Sequence, residues 1–289
     1  MIAVNSIKNA FSIAKIEYVK WILSPRLMIF LCSLIFINQF AAIPLLKMSS
    51  ETDIPLNTFE PFIAIANSDV LMMLMPVVFM TLIADFPKND GNLLFCVQRS
   101  GKNSWLCGQI IFLIYACVTF IFSIFVSTVI CSFGNTEWSQ QWSKTITDYT
   151  RMFPDNSQSF GALLIPENLY YQYEPIRSAI NSAALMFLLL IFCGLLMLVF
   201  SELGKKLIGV GINVFLLLAG GASVYIDTNL KWIFPCSNAI VKLHFTKYFR
   251  RQIYELSCSY IFFAVLIAVL IILSFLFIRS ADFVTAEED

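Results

Sequence analysis

The chain has 289 residues, of which 58% are hydrophobic and only 13% carry a charged side chain. A soluble globular domain has about 25% charged residues, so this composition excludes an ordinary water-soluble fold. The 19 lysines and arginines balance the 19 aspartates and glutamates. Without a basic excess, a nucleic-acid partner is not expected.

Six apolar segments are candidates for membrane-spanning helices, which need about 20 residues each. They cover residues 27–46, 70–84, 110–133, 178–200, 207–226 and 255–278, the second with an upstream extension through 61–63. In lipid every backbone donor and acceptor must be satisfied, which requires helices because β-barrel alternation is absent. Pro44 and Pro76 are expected to bend the first two spans. The predicted fold class is an all-α integral membrane protein, a single transmembrane domain over residues 1–289 with six transmembrane helices.

The lysines and arginines of the loops indicate which side each terminus occupies. With six spans both termini share a side, which would carry ten of the 19 basic residues. Of the nine on the other side, five lie in the 227–254 loop, and the first loop is acidic. We therefore expect a multi-pass protein of the plasma membrane with both termini in the cytoplasm and the 134–177 and 227–254 loops outside.

An amphipathic helix is predicted before the first span, over residues 1–24. Its apolar positions recur at helical spacing: Ile7, Phe11, Ala14, Tyr18, Trp21 and Ile22. Lys8 and Lys15 lie seven residues apart along one edge of this stripe. Such a helix lies at the membrane surface, with its lysines reaching the phosphates of membrane lipids and Trp21 at the boundary. Ser24-Pro25 interrupts the helix and favours this interpretation over a continuation of the first span.

The connection between the second and third spans contains a short amphipathic segment between two turns. Residues 87–91 have turn composition, residues 93–98 can form under two turns of helix, and Ser100-Gly101 closes the segment. A short cytoplasmic helix held between two spans is well placed to transmit force to both.

In this layout the chain resembles the membrane subunits of type-2 ABC exporters. Those permeases carry an N-terminal surface helix, six spans and a cytoplasmic coupling helix after the second span. Their coupling segment reads as acidic residues, Gly-Thr, a leucine-rich helix, a turn with Arg, and Leu-Leu-Gly-Lys. This chain has the same order, with Asn for Thr and Gln for the last Lys: Asp90, Gly91-Asn92, Leu93-Leu94-Phe95, Arg99-Ser100-Gly101-Lys102 and Leu106-Cys107-Gly108-Gln109.

The resemblance extends to residues 15–26, which are similar to the family's surface-helix entry, and to residues 232–235 before the last span. It implies that six residues couple the chain to a partner ABC ATPase subunit: Asp90, Gly91, Asn92, Leu93, Leu94 and Arg99. It also implies a second permease subunit, in a homodimer or a heterodimer. This chain would then bind no cofactor, and ATP and Mg would be held by the partner subunit.

The 227–254 loop combines aromatic and basic residues. A short apolar stripe has four basic neighbours: Val241, Phe245 and Tyr248, with Lys242, Lys247, Arg250 and Arg251. The resemblance implies that this region, from Pro235 onward, is re-entrant and forms an outer gate. An ordinary surface helix beside the membrane is the alternative, because basic interfacial helices are common.

The 134–177 loop carries eight aromatic residues: Trp138, Trp142, Tyr149, Phe153, Phe160, Tyr170, Tyr171 and Tyr173. This density favours a small folded cap or an interfacial layer over a flexible linker.

Few polar residues interrupt the spans. We expect Asn38, Gln39 and Asn213 to hydrogen-bond between helices, with the lining of a cavity as the alternative. Small residues indicate close helix approach, either between two subunits or within one chain: Ser178, Ala179, Ser182, Ala183, Gly209, Gly211, Gly220 and Gly221. Most of the eight cysteines lie in apolar stretches, and the lone His244 cannot form a metal site by itself.

The sequence contains no G-x-x-x-x-G-K-[ST] phosphate-binding loop, so we do not expect this chain to hydrolyse ATP or to act as an enzyme. The leading hypothesis is a permease subunit of an ATP-driven ABC exporter that moves an amphipathic, lipid-like or peptide solute across the bacterial plasma membrane. The alternative is a non-transporting sensor or scaffold that binds a ligand through its extracellular loops. An integral-membrane enzyme is a third hypothesis.

Overall fold

The computed structural model describes residues 2–87, 97–156, 159–246 and 251–279. Helices dominate the described residues, and two strands of two residues each form the only sheet among them. In chain order the elements are α1 (Ile2–Ile22), α2 (Arg26–Thr52), β1 (Leu56–Asn57), α3 (Glu60–Asn67), α4 (Asp69–Leu82), α5 (Lys102–Cys131), β2 (Thr136–Glu137), α6 (Lys144–Met152), α7 (Phe160–Leu164), α8 (Glu167–Tyr170), α9 (Pro175–Glu202), α10 (Lys206–Tyr225), α11 (Pro235–Asn238) and α12 (Leu256–Phe277). Short 3-10 turns cover Pro154–Asn156, Asn229–Ile233 and Val241–His244.

Five helices of the described chain are long and apolar enough to cross a membrane: α2, α5, α9, α10 and α12. The pair α3 and α4 qualifies only when taken together, and an 84° bend separates its two parts. The chain is therefore an all-α, multi-pass membrane protein with five candidate spans, or six if the bent pair is one span.

The centre of the bundle is α9. Of its most apolar window 67% is buried, against 17% for α12, so α9 is a core helix and α12 a peripheral one. Every residue from Leu189 to Val199 is buried, because this helix is apolar on all sides and has neighbours on all sides. Its neighbours are α3, α4, α5, α10 and α12.

The bent pair corrects the predicted second span at 70–84. The chain forms α3 upstream, breaks at Ser68 and restarts as α4. The extended backbone of Ser68 ends the first helix, and its Oγ accepts a hydrogen bond from the Leu71 amide at 3.4 Å as the cap of the second. The sharp bend is thus made by a serine cap, whereas Pro44 lies inside one unbroken α2 and Pro76 inside one unbroken α4.

The other five predicted spans coincide with α2, α5, α9, α10 and α12, with shifted ends. The largest shifts are at α2, which continues to Thr52, and at α5, which begins at Lys102 instead of residue 110. In both cases the helix continues beyond the apolar run, since a backbone helix does not require apolar residues once it has left the lipid.

The 134–177 loop is folded over much of its length. Its strand β2 pairs with β1 in parallel, with Leu56 opposite Thr136, and helices α6, α7 and α8 follow. Trp142 donates its indole N–H to the Tyr173 carbonyl at 2.7 Å, which ties the beginning of this segment to its end. We call residues 134–174 the cap.

Candidate functional site

The predicted coupling residues fall in two groups. Asp90, Gly91, Asn92, Leu93 and Leu94 lie outside the described residues, as do Lys88 and Phe95. Arg99 is exposed on a helical turn formed by residues 97–100. Gly101 ends this turn with a positive φ of 82°, and its amide donates to the Val97 carbonyl at 2.8 Å, a conformation that glycine adopts without strain.

Three helices meet immediately before the predicted coupling segment. Trp21, at the end of α1, donates its indole N–H to the Leu82 carbonyl at the end of α4, at 3.2 Å. Arg26, at the start of α2, forms a two-pronged ion pair with Asp85, with both N···O distances 2.7 Å. We call Trp21, Arg26, Leu82 and Asp85 the Arg26 junction. The Arg26 side chain is 32% exposed and that of Asp85 59%, so water screens this pair.

A cleft between α1, α4 and α5 opens beside the Arg26 junction. It is lined by apolar or aromatic residues and by polar or charged ones: Trp21, Leu82, Ile83, Phe86 and Phe112, with Glu17, Lys20, Ser24, Arg26 and Asp85. Lys20 Nζ lies 3.3 Å from Glu17 Oε1 within this lining. Such a mixed lining complements an amphipathic partner, because it offers both apolar contact and charge.

Helix α1, which covers the predicted surface helix, packs against α5. Gly108 provides the close approach: a methyl group added there would lie 2.9 Å from Ile13 Cβ and 3.0 Å from the Ala10 carbonyl oxygen. Tyr18 adds a 2.7 Å hydrogen bond to Thr119 Oγ1. Part of the stripe predicted for lipid, including Ala14, is therefore buried against protein.

The outer side of α1 keeps the pattern of a membrane-surface helix. Lys8 and Lys15 are both exposed. Apolar residues are exposed beside them: Ile7, Phe11, Ile16, Val19 and Ile22. Periodicity predicted that a helix forms here. The lack of a side chain at Gly108 determines which side of that helix contacts protein.

The predicted outer-gate residues are dispersed. Pro235 is buried at the first turn of α11. Lys242 forms an ion pair with Asp69 at the start of α4, with 3.0 Å between Nζ and Oδ2. Arg251 is exposed, and Lys247 and Arg250 lie outside the described residues.

The segment around Lys242 is not the surface helix that the apolar stripe allowed. It is a 3-10 turn over Val241–His244, and Phe245 then pairs with Gln252 in an antiparallel bridge. Val241 and Phe245 are buried, so their spacing reflects packing against the bundle.

Buried side-chain amides join the 227–254 loop to the break between α3 and α4. Asn67 donates from Nδ2 to Ser182 Oγ at 2.9 Å and accepts from the Lys242 amide at 3.1 Å. Asn168 of α8 donates to the carbonyls of Lys242 and Phe245 at 2.9 and 3.1 Å. The α3–α4 break, α9, the cap and the 227–254 loop are therefore joined at one point.

A third buried group continues this connection to α12. His244 Nε2 lies 2.8 Å from Ser259 Oγ, which donates to Asn238 Oδ1 at 2.8 Å. Burial lowers the pKa of His244 from 6.5 to about 4. We call Asn67, Asn168, Asn238, His244 and Ser259 the His244 network. Sequence reasoning missed it, and the only available signal was polar residues in apolar surroundings.

Glu60 fastens the cap to the start of α3. Its carboxylate is fully buried and accepts hydrogen bonds from the Asn57 amide at 2.9 Å, the Ser143 amide at 2.7 Å and Ser143 Oγ at 2.8 Å. A buried carboxylate with three donors has a structural explanation.

The polar and small residues of the spans serve contacts within the chain. Asn38 donates to Ser127 Oγ at 3.1 Å, and Asn213 donates to the Cys193 carbonyl at 3.0 Å, so both make the predicted interhelical hydrogen bonds. Ser182 contacts Asn67, and a methyl group on Gly220 would lie 3.1 Å from Phe234 Cβ. Ser182 and Gly220 therefore lie at contacts within the chain, whereas a Cβ at Gly211 would have no neighbour within 4 Å among the described residues.

Among the residues that the structure describes, no group of three or more His, Cys, Asp or Glu side chains could hold a metal ion. No family model, no curated protein and no solved structure matches this chain. Its function has to be argued from the geometry of the Arg26 junction and the His244 network.

Proposed function

We propose that this chain is the membrane subunit of an ATP-driven exporter of the ABC type. A partner ATPase would bind the segment after Pro87 on the cytoplasmic side, and the spans would convert its closure into a change of access across the bilayer. The observation that supports this best is the position of the Arg26 junction, where α1, α2 and α4 meet three residues before Lys88.

The contacts at the two ends of α4 explain how a displacement could be transmitted along this helix. One end of this helix is tied to α1 and α2 through Leu82 and Asp85. The other end is tied to the 227–254 loop through Asp69 and Lys242. A helix of this length spans about 21 Å, so a displacement at the coupling segment would reach the loop on the far side as movement of one rigid element.

The chemistry of the spans favours a solute with much apolar surface. In the described spans the charged residues lie in the first or last two turns of their helices. A path along such helices offers apolar contact and few fixed charges, which fits an amphipathic, lipid-like or peptide solute better than an inorganic ion.

The test is co-expression with an ATPase encoded by an adjacent reading frame that carries a phosphate-binding loop. We expect the two proteins to co-purify and the chain to change the rate of ATP hydrolysis. Arg26→Ala should keep the complex and reduce that change several-fold, because the α2–α4 contact is lost. Arg177→Ala is the matched control, since Arg177 is another exposed arginine with a carboxylate neighbour. An ATPase that neither binds nor responds to the chain would contradict the proposal.

The sensor alternative retains one observation in its favour, the folded cap. Tyr149 donates to Glu51 at 2.6 Å and Trp142 to Tyr173, so the cap has the internal order that ligand binding requires. An adjacent gene for a kinase or a transcriptional regulator, in place of an ATPase, would favour this second function.

A further inference from the structure

The 227–254 loop is fastened to α12 by three side chains that are all fully buried: Asn238, His244 and Ser259. Asn238 fixes the polarity of the group. Its Nδ2 donates to the carbonyls of Trp232 and Phe234 at 2.8 and 3.0 Å, so its Oδ1 must be the atom that faces Ser259 and can only accept.

The contacts of His244 likewise define the orientation of its imidazole ring. Its Nδ1 lies 3.1 Å from the Ile240 carbonyl and 3.3 Å from the Val241 carbonyl, and its Nε2 lies 2.8 Å from Ser259 Oγ. Carbonyl oxygens only accept, so Nδ1 has to carry a proton for these contacts to be hydrogen bonds.

When His244 is neutral, the group formed by Asn238, His244 and Ser259 has one hydrogen-bonding proton fewer than its short contacts require. With the proton on Nδ1, the single hydroxyl proton of Ser259 faces two acceptors, His244 Nε2 and Asn238 Oδ1. With the proton on Nε2, the lone pair of Nδ1 faces two carbonyls instead. Every neutral arrangement leaves one short contact without a proton, and only the imidazolium ion supplies all of them.

Burial opposes that second proton. Every atom of His244 is withdrawn from water, and among the described residues its hydrogen-bonding neighbours are the two carbonyls and Ser259, which carry no charge. Of the charged groups in the surrounding described segments, Lys242 pairs with Asp69 and Lys231 with Asp227, and Arg251 is exposed to water.

Other titratable groups nearby do not offset this burial. The Tyr254 ring centroid lies 6.1 Å from that of the imidazole, and this tyrosine is neutral at physiological pH because burial raises its pKa. Trp232 stacks on Tyr254, and its ring centroid lies 5.1 Å from that of the imidazole at a tilt of 58°. Glu255, Cys258 and Glu167 belong to the adjoining elements without a contact to the ring among the described residues. A buried cation without a counter-ion is strongly disfavoured. Its free-energy cost exceeds the cost of the one unmade hydrogen bond, so the docked ring is neutral.

We propose that His244 is a proton-operated latch, whose neutral imidazole keeps residues 227–246 of the 227–254 loop docked on α12 and whose second proton releases them. Docked, the ring excludes the proton because it is buried. Released into water, the ring takes a proton with an ordinary affinity, so acid favours the released loop. This inference stands independently of the proposed transport function.

His244 is the only histidine of the chain, which makes a direct test practicable. The full chain is produced with ¹³C,¹⁵N-histidine and a histidine-free purification tag, and its NMR spectrum is followed from pH 8 to pH 4 in lipid nanodiscs. We expect a neutral ring at pH 7 that remains neutral when a free imidazole would already be charged, with a midpoint well below 6.5 because burial lowers the pKa of the docked ring.

Cys236 reports whether the loop moves. Its thiol is buried and lies 3.8 Å from the Met72 carbonyl, so a maleimide reaches it only when the loop is released. The labelled fraction is divided by that of SDS-unfolded protein at the same pH, which removes the pH dependence of the thiol itself. We expect labelling of Cys236 to rise at least fivefold over the pH interval in which His244 gains its proton.

Cys117 is the internal control, because it is fully buried on α5, whereas the Cys193 thiol interacts with that of Cys236 itself. Cys117 should remain unlabelled throughout, and simultaneous labelling of Cys117 would show general unfolding and overturn the latch. In Ser259→Ala the ring loses its partner on α12, so Cys236 should become reactive at a higher pH. Titration of His244 near pH 6.5, or its protonation without any change at Cys236, would also overturn the proposal.

Discussion

The two ends of α4 are held by opposite kinds of chemistry. At the Arg26 junction an exposed ion pair and one indole hydrogen bond join three helices. At the Asp69 end the ion pair between Asp69 and Lys242 is supplemented by buried amides, a hydroxyl and an imidazole. Exposed pairs break and reform at little cost, whereas buried polar groups are expensive to separate from their partners. One end of the helix is therefore suited to repeated rearrangement and the other to firm attachment.

The largest effect is expected at the firm end, from Ser259→Ala. Removing this hydroxyl leaves His244 Nε2 and Asn238 Oδ1 buried without a partner, and each unpaired group costs about 1–3 kcal/mol. We expect the free energy of unfolding, measured by SDS titration in mixed micelles, to fall by about 3 kcal/mol. Ser274→Ala is the control in the same helix, because that buried hydroxyl has no hydrogen-bond partner. Equal losses in both variants would remove the distinction between the two ends.

Gly108→Val should have the next largest effect, on the side of the Arg26 junction. The added methyl groups would meet Ile13 and the backbone of Ala10 at or below 3 Å, and overpacking of this kind costs about 1–3 kcal/mol. We expect α1 to separate from α5, which increases proteolysis after Lys15 and Lys20. Gly211→Val is the control, because a Cβ there has no neighbour within 4 Å. Unchanged protease resistance in Gly108→Val would contradict the packing of α1.

The attachment of the loop near the Asp69 end of α4 should also become less stable in acid, because of the titration of His244. The pKa of this ring is lowered to about 4 from 6.5, so between these values the unfolded chain binds a proton that the folded chain does not. The contribution is fully present above pH 6.5 and is lost as the pH falls toward 4. At pH 5 the loss relative to pH 7 is about 2 kcal/mol. Unfolding of the wild type and of His244→Gln at both pH values measures it, and an equal slope in the variant would assign the effect to other groups.

The smallest effect on stability is expected from Arg26→Ala. The pair is exposed on both sides, so its loss should reduce the free energy of unfolding by less than about 1 kcal/mol. A double-mutant cycle with Asp85→Ala isolates the pair, and its coupling energy should shrink further at 1 M salt. A coupling energy that salt does not change would show that the junction is as firm as the far end.

The sequence predicted the helices best where lipid alone determines them. The ends of α9, α10 and α12 lie within about three residues of the predicted spans, because an apolar run of membrane length leaves little choice. The break at Ser68 was not predicted. Asn67 beside it is hydrogen-bonded to Ser182 and Lys242, which are remote in sequence, so no local pattern indicates the break.

The candidate sites show the same limit. Periodicity predicted a helix over residues 1–24, and α1 covers Ile2–Ile22, but only the three-dimensional structure shows that Gly108 admits α1 against α5. The Arg26–Asp85 pair depends on two span ends meeting, which no local pattern encodes. His244 could be dismissed as a metal ligand from the sequence, whereas its hydrogen bonds could not be foreseen.

Sidedness tests the central claim most directly, because a cytoplasmic ATPase can act on the Arg26 junction only if that end of the bundle faces the cytoplasm. Lys144 on the cap and Lys205 between α9 and α10 are both exposed and lie at opposite ends of the proposed topology. In intact cells a membrane-impermeant amine reagent should modify Lys144, and Lys205 only after permeabilisation. Modification of Lys205 but not of Lys144 in intact cells would contradict the proposed function.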